Sequence, residues 1–238
     1  MRLDAATSLT DPERFAYRWT EPHMARDFSA HDLFRILDRN RYEGAVLSTL
    51  TDHAGETEWL LEQKAQHAWI KGVIGAPVSG VCGVRRRFDE LDAPVDSRLP
   101  IDLIITPDQL ARAPEAIGGR RVALVNLGGA TYTAQEFASW SAAMRPLAAL
   151  PNVVVKISGL INEAGGNGWN SAVYRPYVQL LLREFGPRRL MYGSDWPNCM
   201  KTGTWKESLA AFTQALGAQP QETRDWILGQ TAASFYGV

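Results

Sequence analysis

The chain has 238 residues, 45% of them hydrophobic, with 25 basic side chains against 26 acidic ones and a formal net charge of -1. That size and apolar content suit one large domain spanning residues 1–238 around a single core, and the charge balance speaks against nucleic acid or an anionic membrane as a partner. Two cysteines are too few for a disulfide framework, no Cys/His spacing resembles a zinc site, and the N-terminus offers neither a secretory signal nor an apolar run long enough to span a bilayer, so a cytoplasmic protein is expected.

Strand and helix patterns alternate along nearly the whole chain. Candidate strands run from Arg2 to Ser8, Gly44 to Leu50, Ile70 to Ala76, Val81 to Arg87, Ile101 to Ile105, Val122 to Leu127, Val153 to Ser158 and Leu190 to Ser194. Eight strands separated by helical segments predict an α/β fold of the (β/α)8 barrel type. The first helix begins after Ser29, an N-cap with Asp32 three residues on, and a second covers Glu56 to Gln66. A short third follows Pro107 and ends at Gly118. Glu136 to Leu150, Ala172 to Phe185, Lys206 to Leu216 and Gln221 to Phe235 complete the outer layer, the last with Trp226, Ile227, Ala233 and Phe235 inward.

Two links break the rhythm. Only Pro77, Val78, Ser79 and Gly80 separate the third and fourth strands, whereas a parallel crossover takes about a dozen residues. The fourth strand is therefore expected to be either reversed or severely displaced. The stretch from Phe88 to Pro100 looks like loop, so two outer helices are missing and a second subunit is the expected cover, which predicts a homodimer.

Chemistry concentrates where strands end. Leu190-Met191-Tyr192-Gly193-Ser194-Asp195-Trp196-Pro197 is an apolar run stopped by Pro, which places Asp195 at the C-terminal tip of a buried strand, the catalytic end of such barrels. Capping of the next turn is its ordinary alternative role. His53 follows the second strand and is a candidate acid/base, with a solvent-facing loop histidine as the alternative; His23 lies in a loop that could lid the same mouth, while His31 and His67 sit at helix ends. On the fourth strand, alternation sends Arg85 and Arg87 to the face opposite Arg86. A guanidinium there could clamp a substrate carboxylate, or the three could form surface ion pairs with Asp89, Glu90 and Asp92. Lys156 and Ser158 share one face of the seventh strand. A Lys156–Asp195 ion pair is a structural alternative to pocket lining. Ser8 and Trp196 are further candidate lining groups, Trp196 as an apolar wall, and Gly165 to Gly168 is a candidate flap.

These residues resemble the amidohydrolase-related, lactonase-type hydrolases of the amidohydrolase superfamily. The resemblance rests on Gly193-Ser194-Asp195-Trp196-Pro197, Lys156-Ile157-Ser158-Gly159-Leu160, Gly83-Val84-Arg85, Glu56-Thr57-Glu58-Trp59-Leu60-Leu61 and Thr231-Ala232-Ala233-Ser234-Phe235-Tyr236-Gly237, in this order along most of the chain. It implies a metal-assisted (β/α)8 barrel whose first strand carries Asp-x-His-x-His and whose sixth brings Asp-His-Leu-Gly. Here those strands read Asp4-Ala5-Ala6-Thr7-Ser8 and Val125-Asn126-Leu127-Gly128. Of the implied ligand set only Asp195 remains, so no catalytic metal and no other cofactor is expected. Asn126, in the place of a histidine, is a candidate donor to a developing oxyanion.

Three functions are open at this point. One is a metal-independent hydrolase that opens a lactone or related ester with Asp195 as base. Another is a non-hydrolytic acid/base enzyme: an isomerase, cyclase, lyase or decarboxylase. The third is a catalytically dead barrel that binds a ligand or a partner protein. A small molecule is the expected partner in the first two.

Overall fold

A computed structural model describes residues 1–19, 21–94, 96, 98–162 and 168–238. Gly165, Gly166 and Asn167 of the expected flap lie outside the described residues. Eight strands pair in chain order, all parallel: β1 (Leu3–Thr7), β2 (Gly44–Ser48), β3 (Ile70–Gly75), β4 (Gly83–Arg87), β5 (Ile101–Ile104), β6 (Val122–Leu124), β7 (Val153–Ile157) and β8 (Leu190–Tyr192). The ring closes beyond β8, where Thr7 bridges Trp196 in parallel and the Asp195 N–H donates to the Ala6 carbonyl at 2.8 Å. Short apolar strands suit this arrangement because both faces are covered.

The fourth strand is parallel, so the reversed option fails and the displaced one holds. Gly83, the first residue of β4, pairs with Ile74, four positions beyond the start of β3 at Ile70. The chain therefore only has to turn back upon itself, not travel the length of a strand, and residues 76–82 suffice for that. No α-helix follows β3 or β4 among the described residues. Instead a 3-10 turn, Phe88–Glu90, tucks Phe88 and Leu91 into the outer core. Each such burial is worth about 1.5–3 kcal/mol, and it removes the bare apolar surface on which the homodimer was expected. The exposed large hydrophobics among the described residues are Met1, Phe34 and Val173, none of them between Ala76 and Ile101.

Helices α1 (Ala30–Arg39), α2 (Ala54–Gln66) and the short α3 (Ala113–Ile117), with those at Ala134–Ala148, Ser171–Phe185 and Trp205–Leu216, form the outer layer. In α1 the expected capping box is present: Ser29 Oγ accepts from the Asp32 N–H at 3.2 Å, and Asp32 Oδ2 accepts from the Ser29 N–H at 3.1 Å. No helix is long and apolar enough to cross a membrane among the described residues.

Inside the barrel, Ala5, Val46, Ile74, Ala123, Val154 and Met191 form an apolar plug beneath the mouth. It is closed from below by Ala232, Phe235 and Tyr236, with Gly229 against the backbone of Met1, Arg2 and Leu3. The expected continuous C-terminal helix is interrupted by a π turn, Trp226–Gln230, between Gln221–Asp225 and Thr231–Tyr236. The wider turn advances the register by about one residue, so Ala232 rather than Ala233 is fully buried and Trp226 is only partly covered.

Candidate active site

The mouth gathers residues on or just after β1, β2, β4, β5, β6, β7 and β8. Gly193 lets β8 lie against β1, because a Cβ there would meet the Ala6 Cβ at 2.4 Å. Beyond it Asp195 takes a left-handed backbone, φ 58°, which a non-glycine residue adopts only when its surroundings impose it. Ser194 is fully buried, its N–H donating to Asp4 Oδ1 at 2.9 Å. The Asp195 carboxylate is held on both oxygens: Oδ1 accepts from Asn198 Nδ2 at 3.3 Å and Oδ2 accepts from Asn162 Nδ2. Burial pushes its pKa up, against the two amides and the charges of Arg85 and Lys201.

Asp195 opens on a cavity of about 200 Å³ that Ser8, Asn126, Lys156, Arg85, Asp102 and Lys201 also line. Lys156 does not pair with Asp195. Its Nζ donates to Asp102 Oδ2 at 2.6 Å and to the Ala5 carbonyl at 2.7 Å, and the Tyr236 hydroxyl donates to the other Asp102 oxygen. Both charged side chains are almost wholly inaccessible. They form the cavity's floor, and a third ammonium N–H remains for whatever fills the space above.

Asn126 and Ser158 form a second fixed unit. The Asn126 N–H donates to Ser158 Oγ at 3.3 Å, and the serine hydroxyl donates to Asn126 Oδ1 at 2.7 Å. That bond assigns the amide orientation and leaves Nδ2 without a partner among the described residues. The geometry needs an abrupt end to β6: residues 126–129 all have positive φ, which ends the strand at Leu124 instead of Leu127. Ser8 donates to the Ser48 carbonyl and ties β1 to β2 at the rim.

A second cavity of about 350 Å³ adjoins the first at Arg85 and is lined by Arg86, Arg87, His53, Thr49 and Thr51 among others. Arg85 donates to the Thr49 carbonyl and reaches both spaces. Arg86 Nε is buried with no partner among the described residues. Arg87 pairs with Asp52 at 3.0 Å, while its backbone N–H donates to Glu90, and the alternative of surface ion pairs with Asp89, Glu90 and Asp92 is not seen among the described residues. His53 caps α2, its Nδ1 accepting from the Gly55 N–H at 3.1 Å, and lines this second cavity and not the one at Asp195. Trp196 is no pocket wall. It is buried at 2% exposure in the outer core, on the same side as Tyr192, and packs edge-on against Phe28.

Sequence alone missed Asn162, Asn198, Asp102, Lys201 and Glu56. Glu56, fully buried in the first turn of α2, accepts from the Leu50 and Thr51 N–H groups and the Thr51 hydroxyl, which fixes the rim after β2. Asp4 is likewise buried, accepting from Ser194 and from Trp205 Nε1 at 2.6 Å, and burial pushes its pKa up to about 6.

Ala6 and Ser8 face this mouth where the resemblance implies two histidines, and Asn126 where it implies a third. Among the described residues no group of three or more His, Cys, Asp or Glu side chains converges. One carboxylate among amides and hydroxyls does not fit zinc, which takes imidazole, thiolate and carboxylate donors together.

An L-fucono-1,5-lactonase of Burkholderia multivorans is 41% identical over 106 residues, 42% of this chain and 36% of that protein, so the match spans about a third of that relative's length. An L-fucono-1,5-lactonase of Burkholderia ambifaria is 28% identical over 207 residues, 72% of this chain and 71% of that protein. Among solved structures, an amidohydrolase from Burkholderia multivorans with bound zinc superposes with a TM-score of 0.84 at 24% identity, covering 100% of this chain and 99% of that one. A putative 2-pyrone-4,6-dicarboxylic acid hydrolase from Pseudomonas putida gives 0.83 at 20% identity, covering 99% and 97%. The sequence model of the amidohydrolase family matches residues 86–238, well over half of the chain, and with this barrel and mouth the protein belongs to that family.

Proposed function

We propose that the protein hydrolyses a lactone at this mouth, with Asp195 as general base toward water and no metal. The observation that carries the proposal is Asp195 itself: a carboxylate held by two amides, facing a polar cavity, with its proton affinity raised by burial. A raised pKa moves a carboxylate toward the range where it takes and returns protons at neutral pH. The two lactonase relatives support the ester class.

Water attacks the lactone carbonyl while Asp195 takes one of its protons. The negative charge develops on the former carbonyl oxygen, where the free Asn126 amide N–H and the third Lys156 N–H are the available donors. Collapse of the tetrahedral centre breaks the ring C–O bond, and the departing alkoxide takes the proton back from Asp195. A hydroxy acid results. Arg85 and Arg86, at and beyond the junction of the two cavities, bind a carboxylate or hydroxyl of the substrate, with Ser8 and Ser158 bracing the rim. His53 serves the outer cavity as a binding group.

The test is a pH-stat assay across sugar δ-lactones and carboxylated lactones, with and without a strong chelator. Turnover unchanged by chelation is expected; turnover abolished by chelation and restored by zinc overturns the metal-free mechanism. A homodimer has no apolar patch to support it among the described residues, and light scattering at micromolar concentration decides it.

A further inference from the structure

The two amides that hold Asp195 differ in how they are themselves held. Asn162 Oδ1 is buried without a partner among the described residues. Asn198 Oδ1 accepts from the Trp19 indole N–H at 2.9 Å, across 179 positions of sequence. An indole nitrogen only donates, so Trp19 requires the Asn198 oxygen to face it and thereby turns the amide nitrogen toward Asp195.

Trp19 lies in the long β1–α1 connection. It stacks on Tyr17 at 5.1 Å between ring centroids and meets Phe28 edge-on, and Phe28 in turn meets Trp196, the neighbour of Asp195. His23 Nε2 lies 3.0 Å from the Met200 carbonyl, which adds a second tie between this connection and the turn after β8. Tyr17 and Trp19 also wall a third space of about 510 Å³ above the mouth, shared with Arg85, Arg87 and Lys201.

We propose that Trp19 is a positioning residue: by docking on Asn198 it aims that amide at the Asp195 carboxylate, so the β1–α1 connection sets the geometry of the base as well as the shape of the entrance. The proposal rests on Asp195 being the base. Loss of the indole donor frees the Asn198 side chain to rotate, and the carboxylate loses one of its two constraints. Arg85, Asn126 and Lys156, which also line the cavity, are left in place.

Trp19→Phe keeps an aromatic ring against Tyr17 and Phe28 while removing the donor, and Asn198→Ala removes the intermediary. On the best lactone substrate, each is expected to lower kcat about tenfold with KM nearly unchanged. The double variant should fall no further than either alone. Additive losses, or a change confined to KM, overturn the proposal. A second readout needs no activity: in protein labelled with 15N at tryptophan, the Trp19 indole N–H should be protected from exchange and lose that protection in Asn198→Ala. An exchange rate that Asn198→Ala leaves unchanged overturns the proposal even if Trp19→Phe fails to fold. If the bond is present by exchange while no lactone is turned over by the parent protein, the fault lies in the assigned reaction.

Discussion

Two carboxylates inside the same barrel, Asp102 and Asp195, have opposite surroundings. Asp102 in the floor faces an ammonium and a phenol, Lys156 and Tyr236, and is closed off from solvent. Asp195 at the mouth accepts, among the described residues, from two neutral side-chain amides, with the charges of Arg85 and Lys201 acting from farther away, and it borders open space. A buried charge whose partners are complete is a structural element; one left short of partners retains capacity for a ligand or a proton.

The contrast breaks first at the mouth. Asp195→Asn keeps the shape and removes the proton acceptor, so turnover should drop ~10²–10⁴-fold while urea unfolding changes little; full turnover in this variant would sink the mechanism. Because burial raises the Asp195 pKa, activity should be lost as pH falls through a midpoint above the ordinary 3.8, and a kcat–pH profile measures it. Breaking the floor should show in stability as well as in turnover, because Lys156 is also a donor to the oxyanion. Lys156→Met strands the Asp102 charge and should cost about 3–5 kcal/mol in urea unfolding.

Asp4 sharpens the comparison as a third buried acid, turned toward the outer core. Its pKa rises from 3.8 to about 6 on folding, so between those values the folded chain binds a proton that the unfolded chain does not. Its contribution is fully present below 3.8 and is lost as pH rises through 6, an effect of roughly 3 kcal/mol. The stability difference between the parent and Asp4→Asn should therefore change between pH 4 and pH 7 by about that amount, and a flat difference contradicts the burial argument. Tyr236→Phe is the mildest change. It removes one donor from Asp102 and should cost about 1–2 kcal/mol, read as a lowered urea midpoint with kcat intact.

Strand positions were legible because a buried parallel strand is a short apolar run bounded by turn formers, and no other element matches that pattern as well. Asp195 was legible for the same reason, as the polar residue that ends such a run. Its partners were not. Asn162 and Asn198 look like ordinary turn residues, and nothing local tells that their amides converge from two different loops on one carboxylate. Lys156 was placed on the correct face, but its partner lies 54 positions away on another strand, beyond any local signal. Trp196 was misplaced because adjacency to Asp195 was taken as a shared pocket, whereas alternation from Tyr192 sends positions 194 and 196 outward, and Trp196 lies in the outer core with Tyr192. The π turn at Trp226–Gln230 likewise shifted the helical count by one.

The displaced start of β4 makes the chemistry of the mouth adjustable by loop length. Residues 76–82 decide how far up β3 the next strand begins, and β4 carries three consecutive arginines into the rim. Deleting or inserting one residue in that link slides the strand by one position, and a one-position slide turns every side chain to the opposite face. Arg86 would then face inward in place of Arg85. A lineage can thus exchange one substrate-facing guanidinium for another by an indel in a surface turn, leaving every residue of the site itself unmutated.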